Sequence, residues 1–308
     1  MSENWKTRTL FLALVLFVTV ALSAVYYWRF RSPNSANDLY NHLPKKEALV
    51  VQVDFRILKT MGMLNVIAGS PVVEEEEYRR FVHETAFDYR TDLDQVMLSF
   101  AGEDRYALAV GRFDFQALKN YVIVHGGKCQ NGLCSLPSNR GERFVSFVPL
   151  RQNVVGWASS KDEFAAYQLL RPQVETLNYA IPNAPLWLMA PRAYWKNASN
   201  LPDGTKLFAK ALEDADSTVF SITAAGGSPQ AVLEAYCPNE PVAVSLESQL
   251  QGVTDVFRKY LERANQKPGP ADLGGILING KFDRQAKKVV GHWSLERAFI
   301  EALIGGRF

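Results

Sequence analysis

Hydrophobic and polar positions along this chain fall into three patterns. The first is a charge-free run, Leu10–Trp28 (LFLALVLFVTVALSAVYYW), whose 19 residues, at about 1.5 Å each, just cross a hydrocarbon layer of about 30 Å. The second is short alternating or continuous apolar stretches of strand length. The third is a set of amphipathic stretches with helical spacing. Residues 43–172 read as a strand at 48–53, a helix from Phe55 capped by Asp54 and ended near Gly69, and a helix at 73–86 carrying the pairs Glu75→Arg79 and Glu76→Arg80. Strands at 95–101 and 106–111 follow, then a helix after Asp114, a hairpin around Asn131-Gly132, strands at 143–149 and 153–158, and a helix at 160–170. Residues 181–304 read as strand 186–190, helix 203–213, strands 217–224 and 231–237, helix 245–264, strands 275–282 and 288–293, and helix 295–304. In helix 245–264, Leu246, Leu250, Val253, Phe257 and Leu261 form a core-facing stripe.

An internal match links the two halves. Val154-Val155-Gly156, Ser159 and Phe164 recur as Val289-Val290-Gly291, Ser294 and Phe299 at an offset of 135 residues, and Phe147 and Phe282 match at the same offset. Each match opens as a strand and continues toward a helix that its Ser can cap. Leu43-Pro44 before the strand at 48–53 is similarly echoed by Ile181-Pro182 before the strand at 186–190. The expected fold is therefore α+β: two tandem copies of a strand-helix-hairpin-helix-hairpin-helix unit, with mixed or antiparallel sheets covered by helices, preceded by one transmembrane helix. The divisions are a cytoplasmic tail at 1–9, a signal anchor at 10–28, a polar tether at 29–42, copy one at 43–172 and copy two at 181–304, with the boundary near Arg171–Ala180.

Lys6 and Arg8 precede the apolar run, and Arg29 and Arg31 follow it, so the charges flanking it are balanced; Tyr26, Tyr27 and Trp28 form an aromatic belt at its end. The tail is oriented inward because a basic tail before an apolar run begins a secretory signal. Ala21-Leu22-Ser23 loosely fits a cleavage site, but the run continues past it to Trp28, beyond the length of a usual signal core. The chain beyond residue 43 is thus expected outside the cytoplasm, as a single-pass periplasmic protein.

The arrangement resembles a group of uncharacterised bacterial envelope proteins with one N-terminal membrane helix and a duplicated α+β exported part. The likeness rests on Asp92-Leu93-Asp94 leading into a strand, on Gly111-Arg112-Phe113-Asp114 opening a helix, on Asn153–Ser159 running into a helix, and on the long helix at Ser245–Ala264 followed by a hairpin. The resemblance implies topology and location, and no chemistry comes with it.

Composition narrows the possibilities. With 308 residues, 34 Lys+Arg against 32 Asp+Glu and a net charge of +2, the chain can build a substantial core and presents no bulk basic field for nucleic acid. Cys129 and Cys134 flank Gln130-Asn131-Gly132-Leu133; with Asn-Gly as the turn they become a directly opposed cross-strand pair, and outside the cytoplasm such a pair is expected to form a disulfide. A metal site or a redox dithiol is the alternative. Cys237, just before Pro238, reads as a buried thiol, with a reactive thiol or an intermolecular bridge as alternatives. Gly275–Lys281 fits the opening of a phosphate-binding loop but has Phe282 where Ser or Thr is needed, and its middle reads as a strand.

His42, His83, His125 and His292 show no ligand spacing; Asp88, Asp92 and Asp94 lack that of a calcium loop; and Glu74–Glu77 reads as a solvated face. Asn197-Ala198-Ser199, although it matches a glycosylation acceptor, reads as a loop. No catalytic, cofactor-binding or metal-binding residue is named. The leading expectation is a non-enzymatic, membrane-anchored module that binds or scaffolds another envelope protein. The alternatives are a carrier or sensor of a lipid or other apolar ligand, recognisable by a deep hydrophobic pocket, and a hydrolase.

Overall fold

The computed structural model describes residues 35–60, 76–138, 142–173, 179–196, 203–225, 228–265, 268–269, 272–296 and 298–299. The chain divides into the units Met1–Asp38 and Leu39–Phe308. Of the first, residues 35–38 are described, and there the Asp38 N–H donates to Ser35 Oγ at 3.1 Å.

In the second unit, strands β1 (Leu49–Asp54), β2 (Leu93–Ala101), β3 (Asp104–Gly111), β4 (Lys128–Gln130), β5 (Leu133–Pro137), β6 (Phe144–Arg151), β7 (Val154–Ser160), β8 (Leu186–Pro191), β9 (Ser217–Ala225), β10 (Ser228–Tyr236), β11 (Lys281–Gln285) and β12 (Lys288–Ser294) form one sheet. Its order is β11-β12-β10-β9-β8-β1-β2-β3-β7-β6-β5-β4, antiparallel at every pairing. The helices are α1 (Ala36–His42), α2 (Phe55–Thr60), α3 (Glu76–Thr85), α4 (Tyr89–Asp92), α5 (Phe115–Val124), α6 (Arg192–Lys196), α7 (Asp203–Leu212), α8 (Glu240–Arg263) and α9 (Leu273–Leu277), with a 3-10 helix at Ala165–Leu170.

This topology overturns the expected pair of tandem units with sheets of their own. β1 pairs with β8 from Val50↔Met189 to Val53↔Leu186, so the segments 43–172 and 181–304 build one continuous sheet. The reason is physical: both strands carry apolar residues on both faces, and joining them removes two exposed edges. The matched Val-Val-Gly segments lie in β7, between β3 and β6, and in β12, between β10 and β11. Their downstream residues diverge. Ser159 and Ser294 remain within strands, the 3-10 helix is flanked by Phe164 without a side-chain cap, and Phe164 is exposed whereas Phe299 is buried. Residues 10–28, read as a membrane span, lie outside the described residues. Among the described ones, no helix is long and apolar enough to cross a membrane, so the spanning helix is no part of the fold as described.

Local chemistry explains most boundaries. Asp114 Oδ1 accepts the Gln116 and Ala117 N–H groups at 2.9 and 3.0 Å and starts α5. Asn239 caps α8 by accepting the Val242 N–H at 3.0 Å, with Pro241 in the first turn. α8 therefore starts five residues before the position expected from its apolar stripe. Residues 275–282, expected as a strand, instead hold the end of α9 and the start of β11, because a helical turn buries Ile276 and packs Leu273 and Leu277 against the cluster that holds Leu246 and Leu250 of α8.

Two core clusters lie on the same face of the sheet. Val155, Ala109, Val96, Val53, Leu186 and Ile222 follow one another across adjacent strands of that face. Over β3 and β7, α5 buries Leu118 and Val122 with Phe87, Ala109, Phe147 and Val155. Over β8–β10 and β12, α6 to α9 bury Trp195, Leu212, Leu233, Leu246, Leu250 and Trp293. Each fully buried Leu contributes about 1.5–3 kcal/mol. On the opposite face the 3-10 helix seats Leu169 at Gly156, where a Cβ would stand 2.8 Å from its Cδ1.

Candidate functional site

Between α6–α9 and the sheet lies a cavity of about 340 Å³, within the usual range for small-molecule sites of about 300–1,000 Å³. Leu49, Leu188, Phe220, Leu233 and Trp293, from five strands, form its floor. Tyr194 and Trp195 of α6, Phe208 and Leu212 of α7, Leu250 of α8 and Leu277 of α9 form its walls. Among its lining side chains the polar groups are the hydroxyls of Tyr194 and Thr205 and the indole N–H groups of Trp195 and Trp293; the other side chains are hydrocarbon.

Glycine and internal hydrogen bonds hold these walls in place. Trp293 lies along its own strand and over the residue preceding β11: a Cβ at Gly291 would stand 2.8 Å from Trp293 Cη2, and one at Gly280 would stand 2.6 Å from Nε1. Phe282 meets the same indole edge-to-face, with centroids 5.4 Å apart. Trp195 donates its Nε1–H to Thr218 Oγ1 at 2.9 Å, which fixes the other large ring. Gly291 and Val289, singled out in the sequence as repeat positions, thus support the floor around Trp293, whereas Val154, Val155 and Gly156 sit in the half of the sheet remote from it.

The strands that lead away from the cavity have inverted polarity. On β1 and β2 the buried side chains include Gln52, Asp54, Gln95 and Ser99, whereas Leu49, Val51, Val53, Val96, Leu98 and Phe100, on the helix-bearing face, are half-buried. A half-buried apolar strip therefore runs from the cavity floor across the centre of the sheet, between the two helix-covered clusters. Beneath it, Gln52 and Trp187 are directly paired across β1 and β8, and Gln52 Oε1 and Trp187 Nε1 are buried without a hydrogen-bond partner.

The sequence-derived candidates fall elsewhere. Cys129 and Cys134 are opposed across β4 and β5 and joined by a disulfide, around a turn in which Asn131 and Gly132 both have positive φ. A smaller cavity of about 250 Å³ beside them is lined by Phe115, Lys119 and Gln130. Cys237 is a buried free thiol, pushed up to about 11 by burial and by Asp216 and Asp214. Tyr236, beside it, is pushed up to about 12 by burial and by Glu234.

The carboxylates and histidines hold structure. Asp88 caps α4 and accepts from Tyr78 Oη at 2.9 Å. Burial works against the Asp92 carboxylate, but the Asp88 N–H and the Arg112 guanidinium, at 2.9 and 2.7 Å, outweigh it and hold Asp92 below the usual carboxylate value. His42 Nδ1 contacts the Leu169 carbonyl, His125 stacks on Tyr121, and His292 contacts Gln230; His83 sits in the last turn of α3. Among the described residues no His/Cys/Asp/Glu cluster is arranged to hold a metal. The cavity itself left little trace in the sequence, because its floor residues read as ordinary strand core.

No family model matches this chain, and no curated protein matches it. Among solved structures, crystal forms I, IV and III of a protein designated TP0453 overlap it with TM-scores of 0.46, 0.43 and 0.41 and sequence identities of 11%, 9% and 10%. The overlaps cover 87%, 86% and 86% of this chain and 98%, 95% and 97% of the other; likeness of this degree identifies no function.

Proposed function

We propose that the chain is a carrier or sensor of an apolar ligand, held in the cavity under α6–α9. The observation that carries this reading is the lining: thirteen residues whose exposed surface is nearly all hydrocarbon, around about 340 Å³ that protein side chains leave unfilled. Interiors normally close such spaces, since an unfilled void forfeits dispersion contacts on every wall. A concave, half-open cavity with this lining suits a small apolar molecule, and its hydroxyls and indoles provide no acid–base pair for hydrolysis. The run Leu10–Trp28 and the disulfide support placing this activity outside the cytoplasm, beside a membrane to which the chain is anchored.

The test is mass spectrometry of apolar molecules that copurify with the full chain, compared with Ala209→Phe, which fills the cavity from α7. The expected result is a defined apolar species at near one per chain, lost in Ala209→Phe. An equal yield from both proteins, or none from either, refutes the reading.

A further inference from the structure

The half-buried strip and the charge at its far side define what the ligand looks like. The strip begins at the cavity floor, where Leu49 pairs with Phe100 of β2, and Phe100 in turn pairs with Arg105 of β3. Opposed residues of antiparallel strands share a face, so the cavity, Phe100 and Arg105 lie along one side of the sheet. Leu49 on β1 already lines the cavity, and from β1 to Arg105 on β3 there are two strand spacings of about 4.8 Å, or about 10 Å, so one acyl chain can keep its end in the cavity and its head at Arg105.

Arg105 is exposed at the end of this path. Its guanidinium carbon lies 5.3 Å from the Phe100 centroid. Its Nη1 donates to the carbonyl oxygens of Gly102 and Asp104 at 2.9 and 3.0 Å, which fixes the plane of the group. It makes no ion pair among the described residues. The neighbouring carboxylates have other partners: Asp104 meets Arg143 at 3.3 Å and Glu103 meets Lys161 at 3.2 Å. A planar cation over an apolar strip, with its adjacent anions already paired, suits a negatively charged head on an apolar tail.

We infer that the ligand is a single-chain amphiphile with an anionic head, a carboxylate or a phosphate monoester, whose tail fills the cavity and crosses the strip and whose head meets Arg105. This rests on the apolar-ligand reading of the cavity. The inverted polarity of β1 and β2 is its second support, because half-buried Val51, Leu98 and Phe100 gain cover when a chain lies across them.

The experiment uses the full chain in an amphipathic polymer without detergent. Hexadecanoate, hexadecyl phosphate and hexadecanol, each with a photoactivatable group at the chain end, are crosslinked, and the adducts are mapped by peptide mass spectrometry. Adducts on α7 or α8 with all three probes, the anionic ones favoured by about two- to fivefold as for an exposed ion pair, are expected of the wild type. Arg105→Gln is expected to erase that preference and Arg105→Lys to retain part of it, with hexadecanol unchanged throughout. The better anionic probe identifies the source, phosphate for a lipid-type head and carboxylate for a free acid. Cavity labelling with no anionic preference, or a preference that survives Arg105→Gln, overturns the head assignment and leaves the cavity reading standing. Absence of cavity adducts from all three probes overturns the cavity reading itself.

Discussion

Replacing Gln52 by Leu is expected to stabilise the protein. Gln52 is 4% exposed in the centre of β1, directly across from Trp187, which is 1% exposed, and the Gln52 side chain makes no hydrogen bond among the described residues. An amide oxygen held there without a donor costs about 1–3 kcal/mol relative to water. Leu has similar volume, needs no partner and buries further apolar surface beside Met97, which also pairs with residue 52. The expected gain is about 1–2 kcal/mol, or a rise in Tm of about 2–8 °C for a domain of this size. Thermal and urea unfolding of wild type and Gln52→Leu, followed by far-UV circular dichroism, measure it. Trp187→Phe is the control: it removes the orphaned donor but leaves a void, so its effect should be smaller or of opposite sign. A loss of 1 kcal/mol or more in Gln52→Leu would refute the reasoning, because it would mean that the amide has a partner whose loss outweighs the relief.

Other expectations follow from close packing and from shifted titrations. Gly291→Ala should cost more than Gly156→Ala, within a range of about 1–3 kcal/mol, because the new methyl meets the rings of Trp293 and Phe282 in the first case and terminal leucine methyls in the second; urea midpoints rank the two. The Cys237 thiol, pushed up to about 11, should resist iodoacetamide in the native protein at pH 8 and react fully in urea. Tyr236 is held protonated up to about 12 against an ordinary value of about 10. Its folded value is the higher one, so its contribution to stability is complete below about pH 10 and is lost as pH rises toward 12. The alkaline fall in stability should accordingly be shallower in Tyr236→Phe than in wild type.

Much of the fold was legible because strand alternation and capping are local. The limits of β2, β3, β7, β9 and α7 fell within about two residues of the reading, and the Asn131-Gly132 turn brought Cys129 and Cys134 together as its geometry requires. Three departures have identifiable causes. The start of α8 was misplaced because the apolar stripe outweighed the cap and proline at Asn239–Pro241. At residues 275–282 a short apolar run fits strand and helix alike, and only the burial of Ile276, with Leu273 and Leu277, in the α8 cluster decides between them. The two-unit architecture failed because strand pairing between β1 and β8 joins residues more than a hundred positions apart, and no local pattern encodes such a partner.

The same limit hid the site. Alternation in Leu49–Asp54 shows that Leu49, Val51 and Val53 share one face and Val50, Gln52 and Asp54 the other, and by composition the first set belongs in the core. The structure assigns them in reverse. The face with two polar residues is the one the protein buries, leaving an amide oxygen unpartnered, while the all-apolar face is left half-covered between two helix layers. A sequence under selection for stability alone would exchange these faces, gaining hydrocarbon burial and losing an orphaned acceptor. Retaining the costlier arrangement makes physical sense if the half-covered face has work outside the native core. Its continuity with the cavity floor through Leu49 and Leu188 fits the ligand we propose: an apolar molecule lying there would complete the burial that the fold leaves open.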